Sequence, residues 1–200
     1  MNLNAIRATA RRMRVEVLLA FWLGVPAGLA AQSPEQASPR VWKVGSEIDV
    51  LPYVLKGYYG SAYAGMQAWR LRVVASRSTM PSFLVASGYT EKRSDAYALL
   101  GDLFYGAGRQ KQTGMWVGGG GEYWRSRIRT TATPAFAYYD NFMLTAGGGY
   151  VWRFSRHFYL NPWSGGHFTV GGARNIKVSG ETYTQPIFTP ELSVKLGISF

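Results

Sequence analysis

The chain has 200 residues, no cysteine and a formal net charge of +11 at pH 7. The length fits one domain, and the lack of cysteine excludes a fold held by disulfides. The excess of Lys and Arg predicts an anionic partner, either lipid phosphate or an acidic glycan, because no nucleic-acid-binding motif accompanies it.

The first 30 residues have the three-part pattern of a secretory signal peptide. Four arginines between residues 7 and 14 precede an apolar run at 17–30, which ends in small residues. The run is shorter than the about 20 residues that a membrane-spanning helix needs, so cleavage after Ala30 or Ala31 is favoured over an anchoring helix. We therefore expect an exported mature chain of about 170 residues.

After a short polar lead-in, apolar and polar residues alternate in segments that are separated by turn-rich gaps up to residue 200. Alternation with a period of two is typical of a β-strand with one apolar and one polar face. No helical pattern of useful length competes with it. The predicted strands are 46–53, 58–66, 69–76, 95–106, 114–125, 140–154, 158–171 and 191–200.

The gaps between the predicted strands alternate in length. The short gaps are 67–68, 107–113 and 155–157, and the long gaps are 77–94, 126–139 and 172–188. Only the gap at 54–57 departs from this alternation. Short turns at one end and long loops at the other are typical of outer-membrane β-barrels. The sequence therefore predicts an all-β fold, an eight-stranded antiparallel transmembrane β-barrel at 46–200 with short periplasmic turns and longer extracellular loops, after a periplasmic lead-in at 31–45.

Two glycine runs, at 118–121 and 147–149, interrupt predicted central strands. Glycine weakens a strand locally and lets it bend, and a small barrel needs tight curvature. A phosphate-binding loop is the alternative. It is disfavoured because neither a lysine followed by serine or threonine nor a helix comes after the runs.

The phase of the strands predicts which side chains face lipid and which face the interior. The predicted lipid-facing residues are Leu71, Val73, Phe142, Leu144, Leu196 and Ile198. The opposite faces carry Glu47, Asp49, Arg70, Arg72, Asp102, Glu122, Arg153 and Lys195. The interior of an eight-stranded barrel is just wide enough to be filled by side chains, and buried charges need partners. We therefore predict a polar plug of ion pairs, with a narrow channel or ligand slot as the alternative.

Aromatic residues collect at the short-turn end of the predicted barrel. They are Trp69, Tyr150, Trp152, Phe154, Phe158 and Phe200. Tyrosine and tryptophan favour the headgroup level of a membrane, where one end of the ring can be wet. This distribution predicts a membrane interface rather than a soluble core.

Three arginines, Arg125, Arg127 and Arg129, are spaced by two residues after Tyr123. This spacing puts them on one strand face, in the phase of the predicted lipid-facing residues Val117 and Tyr123. The planar guanidinium group can bond two phosphate oxygens at once. The arginines therefore predict a binding site for lipopolysaccharide phosphates, and solvated rim charges are the alternative.

The closing stretch ELSVKLGISF, the leader and the alternation of loop lengths resemble small bacterial outer-membrane β-barrel proteins. In that family the last strand ends in an aromatic residue, which the barrel-assembly machinery recognises. Leu196, Gly197, Ile198 and Phe200 match this assembly signal by position. The resemblance implies a location in the bacterial outer membrane, with lipid and lipopolysaccharide as partners. It specifies architecture much more than activity.

A second resemblance concerns catalysis. His167, Thr169 and Glu181 are similar in order to the histidine, serine and glutamate of lipid A deacylases, which are also eight-stranded barrels. The resemblance implies Thr169 as nucleophile, His167 as base and Glu181 as the group that orients the histidine. Against it, Thr169 is a hindered secondary alcohol and Val170 replaces the expected asparagine. The strand phase also turns His167 and Thr169 into the barrel, away from lipid.

We therefore predict a monomeric outer-membrane barrel without catalytic activity that has a structural, surface-interaction or narrow-pore role. Lipid A deacylation by His167, Thr169 and Glu181 is the alternative. A soluble exported barrel of lipocalin type, with an apolar interior, is a further one. No cofactor, metal or nucleic-acid partner is expected, since two histidines ten residues apart do not make a metal site without cysteine.

Overall fold

The computed structural model describes residues 41–54, 56–80 and 85–200. The predicted signal peptide and residues 31–40 of the predicted lead-in lie outside the described residues. The strands are β1 Trp42–Asp49, β2 Tyr58–Met66, β3 Trp69–Met80, β4 Tyr89–Phe104, β5 Gly114–Thr130, β6 Phe136–Arg153, β7 Phe158–Gly172, β8 Asn175–Val178, β9 Glu181–Thr184 and β10 Phe188–Ser199. A short helix, α1 Val50–Val54, follows β1, and one 3₁₀ turn, Arg109–Lys111, lies between β4 and β5.

Eight of these strands close into an antiparallel barrel in the order β1-β10-β7-β6-β5-β4-β3-β2. The stagger of the barrel follows from its register. A path of paired residues that starts at Phe168 on β7 and passes once around the barrel returns to β7 at Phe158, ten residues away. Such a stagger tilts the strands by about 40° from the barrel axis, within the usual range for closed barrels.

The outside of the barrel is apolar and its inside is polar. Leu71, Val73, Phe142 and Leu144 each expose more than half of their surface outward, whereas Arg70 and Arg72, which point inward from β3, are buried. Leu196 and Ile198 also face outward and are half-buried. This is the arrangement of a barrel that spans lipid, and it is the reverse of a lipocalin-type barrel. The predicted eight-stranded antiparallel barrel is therefore confirmed.

The bounds of the strands match the prediction best at the short-turn end, where the connections 67–68 and 154–157 lie. β2 ends where predicted, and β3, β5 and β7 begin where predicted. At the opposite, long-loop end, β4, β5 and β6 extend several residues further than predicted. On the extensions of β4 and β5 the outward residues Glu91, Arg93, Arg127 and Arg129 are charged, so the alternation with an apolar outer face is lost there.

The first strand was predicted wrongly at both ends. β1 begins at Trp42 instead of Ser46 and ends at Asp49 instead of Tyr53. The chain leaves the sheet there because Pro52 has no N–H for a ladder, and the Asp49 carboxylate accepts a hydrogen bond from the Leu51 N–H at 3.0 Å. Residues 50–54 form α1 instead.

The connection 173–187 contains a hairpin, β8–β9, where only a loop was predicted. Ser179 and Gly180 join its strands with φ values of 51° and 86°, the pattern of a two-residue type I′ turn. Ile176, Val178 and Tyr183 of the hairpin are buried in a cluster with Tyr89, Ile128 and Tyr139 from β4, β5 and β6. The hairpin is therefore packed on the strand extensions at the long-loop end.

Among the described residues, no helix is long and apolar enough to cross a membrane.

Candidate functional site in the barrel lumen

The inward side chains of β4 show that the lumen has successive levels. From the short-turn end these side chains are Phe104, Asp102, Leu100, Ala96 and Lys92, all of them buried. Phe104 belongs to an aromatic floor, Asp102 to an ion-pair cluster and Leu100 to the wall of a cavity. Lys92 lies near the long-loop end, where its ammonium donates to Gln185 Oε1 at 3.0 Å.

The floor is built from six buried side chains. They are Tyr63, Phe104, Trp116, Val151, Tyr159 and Trp163. The indoles of Trp116 and Trp163 stack with ring centroids 6.2 Å apart. A β-carbon at Gly147 or Gly165 would collide with the Trp163 ring. These two glycines therefore let the backbone approach the Trp163 ring closely. Strand curvature alone does not explain why glycine is needed at these two positions.

Next to the floor, Glu47, Arg70, Arg72 and Asp102 form a buried cluster, called here the four-charge cluster. Arg70 donates to Asp102 Oδ2 at 2.7 Å and to Glu47 Oε1 at 3.1 Å. Arg72 donates to the same two carboxylates at 2.8 and 3.2 Å, and its Nη2 reaches Asp102 Oδ1 at 2.9 Å. Each guanidinium group therefore bridges both carboxylates, and the cluster has no net charge.

Neutral groups complete the four-charge cluster. Glu47 Oε1 also accepts from the Tyr159 hydroxyl and from the Asn161 amide, each at 2.9 Å. Arg70 lies 4.8 Å above the Tyr63 ring and Arg72 lies 5.1 Å above the Trp116 ring. The Nη2 of Arg70 has no acceptor among the described residues, and its guanidinium is instead covered by aromatic faces, which attract cations.

Four of the eight predicted plug residues lie elsewhere. Glu122 contacts His167, and Arg153 donates to Ser199 Oγ at 2.7 Å near the short-turn rim. Asp49 and Lys195 are buried in the lumen, but neither forms an ion pair with another described residue. The plug as predicted therefore reduces to the four-charge cluster.

His167 lies further toward the long-loop end, between two carboxylates. Its Nε2 is 2.6 Å from Glu191 Oε2 and its Nδ1 is 3.2 Å from Glu122 Oε2. The Thr145 hydroxyl lies 2.8 Å from Nδ1, and the Trp124 ring packs at 5.1 Å. Both ring nitrogens are thus occupied. The part of the chain that the structure describes contains no group of three or more His, Cys, Asp or Glu placed to hold a metal ion.

The residues of the catalytic alternative are not brought together. The Thr169 hydroxyl donates to the Pro186 carbonyl at 2.8 Å rather than to His167. Glu181 is exposed on the β8–β9 hairpin and lies beside Gly88. The carboxylates that contact His167 are Glu122 and Glu191. The described side chains therefore form no nucleophile–base–acid set from these three residues.

The three arginines of β5 lie on the outer face, directly after Tyr123, as their spacing predicts. Arg127 Nη2 contacts Glu91 at 2.7 Å and Arg129 contacts the same carboxylate at 3.8 Å. Arg125 is the most exposed and lies 3.5 Å from Asp140. Two carboxylates thus accompany the three guanidinium groups, which leaves an excess of one positive charge.

The sequence analysis missed several residues that complete these sites. Trp116, Tyr159 and Asn161 surround the four-charge cluster, and Glu191 replaces Glu181 as the partner of His167. Strand phase contained the signal for all four, and Trp116 shares the phase of Glu122. Tyr159 and Asn161 share the phase of Trp163, and Glu191 shares that of Lys195.

Comparison with known proteins supports the fold. No protein-family model matches the sequence, and no curated protein matches it either. The N-terminal β-barrel domain of OprF from Pseudomonas aeruginosa matches with a TM-score of 0.51 and 12% identity, over 80% of this chain and 96% of that one. Neisserial surface protein A, NspA, matches with a TM-score of 0.47 and 12% identity, over 83% of this chain and 100% of that one. By fold, the chain is a small outer-membrane-type β-barrel.

Proposed function

We propose that the protein is a closed, monomeric β-barrel of the bacterial outer membrane that has a structural or surface-interaction role and no catalytic activity. The observation that carries this proposal is the four-charge cluster, which fills the lumen beside the aromatic floor. An ion that crossed the barrel here would have to separate guanidinium groups from carboxylates, and breaking a buried ion pair costs about 3–5 kcal/mol. This cost favours a closed lumen over a narrow pore.

The closed state is testable by permeation of small solutes. We expect proteoliposomes that contain the wild-type protein to swell no faster in a small sugar than empty liposomes. A general porin in matched liposomes is the positive control. Fast swelling with the purified wild-type protein would contradict the closed barrel.

The absence of catalysis is proposed because His167 is held by Glu122 and Glu191 inside the barrel, and because Thr169 donates elsewhere. We expect overexpression in a Gram-negative host to leave the lipid A mass spectrum unchanged. Loss of one acyl chain that disappears with His167→Ala would overturn this part of the proposal.

We propose further that Arg125, Arg127 and Arg129 contact lipopolysaccharide phosphates on the extracellular side. Support comes from their outward position directly after the apolar residues of β5 and from their excess of one positive charge. If the three arginines were only solvated rim charges, their contribution to stability would not depend on lipopolysaccharide.

Biogenesis forms part of the proposal. The predicted leader at 1–30 directs export, and Leu196, Gly197, Ile198 and Phe200 act as the signal for the barrel-assembly machinery. The Phe200 ring is exposed and packs 5.4 Å from the His157 ring. We expect Phe200→Asp to lower the amount of folded protein in the membrane, measured by heat-modifiable gel mobility. Normal membrane levels would count against the signal.

A further inference from the structure

On the long-loop side of the four-charge cluster, the lumen widens into a cavity of about 230 Å³ that extends past His167 to Lys92 and Met80. Its two walls differ in chemistry. Val74, Leu100 and Trp124 from β3, β4 and β5 make one side apolar, whereas Asp49 and Lys195 lie on the opposite side. Glu122, Glu191 and His167 also line the cavity, and both carboxylates contact the histidine. A cavity with such separated walls fits a ligand that has one apolar and one charged part.

The cavity also reaches the long-loop end of the barrel. Leu51 and Pro52 of α1 and Met80 at the end of β3 belong to its lining. The four-charge cluster and the aromatic floor lie on its other side, toward the short turns. Access is therefore from the long-loop end, and a lumen closed at the cluster is compatible with a ligand in this cavity.

Lys195 supplies a cation to this cavity. Only 2% of its surface is exposed, and its ammonium lies 4.7 Å from the Tyr59 ring centre and 4.4 Å from the Trp163 ring centre. The described residues provide it with no hydrogen-bond acceptor and no ion pair within 4.0 Å. An ammonium group has three N–H donors, and burying them without an acceptor is costly.

Asp49 supplies an anion. It is the register partner of Lys195 across β1 and β10, and it is equally buried. Its Oδ1 accepts from the Leu51 N–H, yet the carboxylate lies beyond ion-pair distance of the Lys195 ammonium. Opposite charges at paired positions of a sheet normally attract each other into contact. Here both remain available to a third group in the cavity.

Two hydroxyl groups lie on the same side. Tyr59 and Ser193 are at least nine-tenths buried and line the cavity. Tyr59 Oη interacts with Ser61, and Ser193 Oγ interacts with Asp49, but neither has a partner with normal hydrogen-bond geometry. Buried hydroxyl groups are usually bonded. The Tyr59 hydroxyl and the Lys195 ammonium can therefore donate to a ligand carboxylate, while Ser193 lies beside Asp49.

We infer that this cavity binds a small zwitterion with an apolar side chain, of the size of a free amino acid. The ligand carboxylate accepts from the Lys195 ammonium and from the Tyr59 hydroxyl. Its ammonium group pairs with Asp49, and its side chain packs on the apolar wall formed by β3, β4 and β5. The volume is below the about 300–1,000 Å³ of pockets for drug-sized ligands, which disfavours lipids and peptides.

Binding is tested by calorimetric titration of the purified full-length protein in detergent. L-Leucine is the probe, and its two halves are the controls. 4-Methylpentanoate retains the carboxylate without the amine, and isoamylamine retains the amine without the carboxylate. We expect saturable leucine binding and at least about tenfold weaker binding of each half. No saturable binding at millimolar leucine, or equal binding of all three compounds, overturns the inference.

Two substitutions assign the charges. Lys195→Met should weaken leucine and 4-methylpentanoate binding at least about tenfold and leave isoamylamine binding unchanged. Asp49→Asn should have the reciprocal effect: it should weaken leucine and isoamylamine binding at least about tenfold and leave 4-methylpentanoate binding unchanged. Lys177→Met, on the exposed face of β8, is the matched control and should bind as the wild type does. A general loss of fold would remove binding of all three compounds, so the reciprocal pattern separates recognition from unfolding. Wild-type affinities in both lumen variants contradict the site.

Discussion

The four-charge cluster and the neighbouring cavity each contain a cation and an anion at paired positions of adjacent strands, but only in the cluster are the two charges in contact. In the cluster, Arg70 is the register partner of Asp102, and the two residues are in direct contact. In the cavity, Asp49 is the register partner of Lys195, and the two residues stay apart. Register alone therefore does not determine whether buried charges pair.

The difference lies in the cation and its surroundings. A planar guanidinium group has five N–H donors in a fixed fork and can bridge two carboxylates at once. Arg70 and Arg72 both do so. The Lys195 ammonium is a single charged point and is held between the Tyr59 and Trp163 rings. The charges of the cluster neutralise one another, whereas Asp49 and Lys195 remain able to bind a ligand.

The largest effect is expected inside the four-charge cluster. Glu47→Gln removes the anion that two guanidinium groups share and leaves a buried positive charge without a partner. The free energy of unfolding in urea should fall by about 3–5 kcal/mol. Asp95→Asn is the control, because the Arg77–Asp95 pair lies on the outer face and is partly exposed. It should cost about 1 kcal/mol or less, and equal losses would show that burial of the cluster has no special energetic role.

A smaller effect is expected at Gly197, where strand packing supports the cluster. A β-carbon there would collide with the Tyr159 ring, whose hydroxyl donates to Glu47. Gly197→Ala should therefore lower the free energy of unfolding by about 1–3 kcal/mol. At Gly60 an added β-carbon would meet no atom within 4 Å, so Gly60→Ala should change stability by about 0.5 kcal/mol or less. Indistinguishable denaturation curves for the two variants would contradict this packing role.

The smallest effect concerns the outer face, where charges are exposed. Replacing Arg125, Arg127 and Arg129 with glutamine removes three guanidinium groups that two carboxylates already accompany. The stabilisation lost in membranes with lipopolysaccharide should be about 1 kcal/mol, the usual value for one basic residue at an anionic surface. Thermal unfolding in neutral detergent should be nearly unchanged. The same loss in both environments would show that the arginines contribute without binding phosphate.

The sequence predicted the barrel well where lipid imposes a period of two. The predicted bounds of β2 are those observed, and the predicted lipid-facing and inward residues of β3 and β6 lie as expected. Prediction failed at the long-loop end for a physical reason. There Lys92 points inward and Arg93 points outward, so both faces are polar and the pattern no longer marks a strand.

The pairing of lumen side chains was less predictable than their direction. Strand phase placed His167 and Glu122 inward, but the contact between them depends on the stagger of the closed barrel. Stagger is a property of the whole ring of strands. The resemblance to lipid A deacylases implied Glu181 as the partner of His167, whereas Glu191 lies near His167 across β7 and β10 and contacts it. The β8–β9 hairpin was missed because four residues are too few to establish a period.

Single-channel recording in planar bilayers tests most directly whether the lumen is closed at the four-charge cluster and the floor. The wild-type protein is compared with a variant that carries Arg70→Ser, Arg72→Ser and Trp116→Ser, with folding of both checked by heat-modifiable gel mobility. We predict no steady current steps for the wild type and steady steps for the variant, because the substitutions remove the charges and the ring that fill the lumen. Steady steps of equal size in both proteins, or silence in both, would contradict closure by these residues.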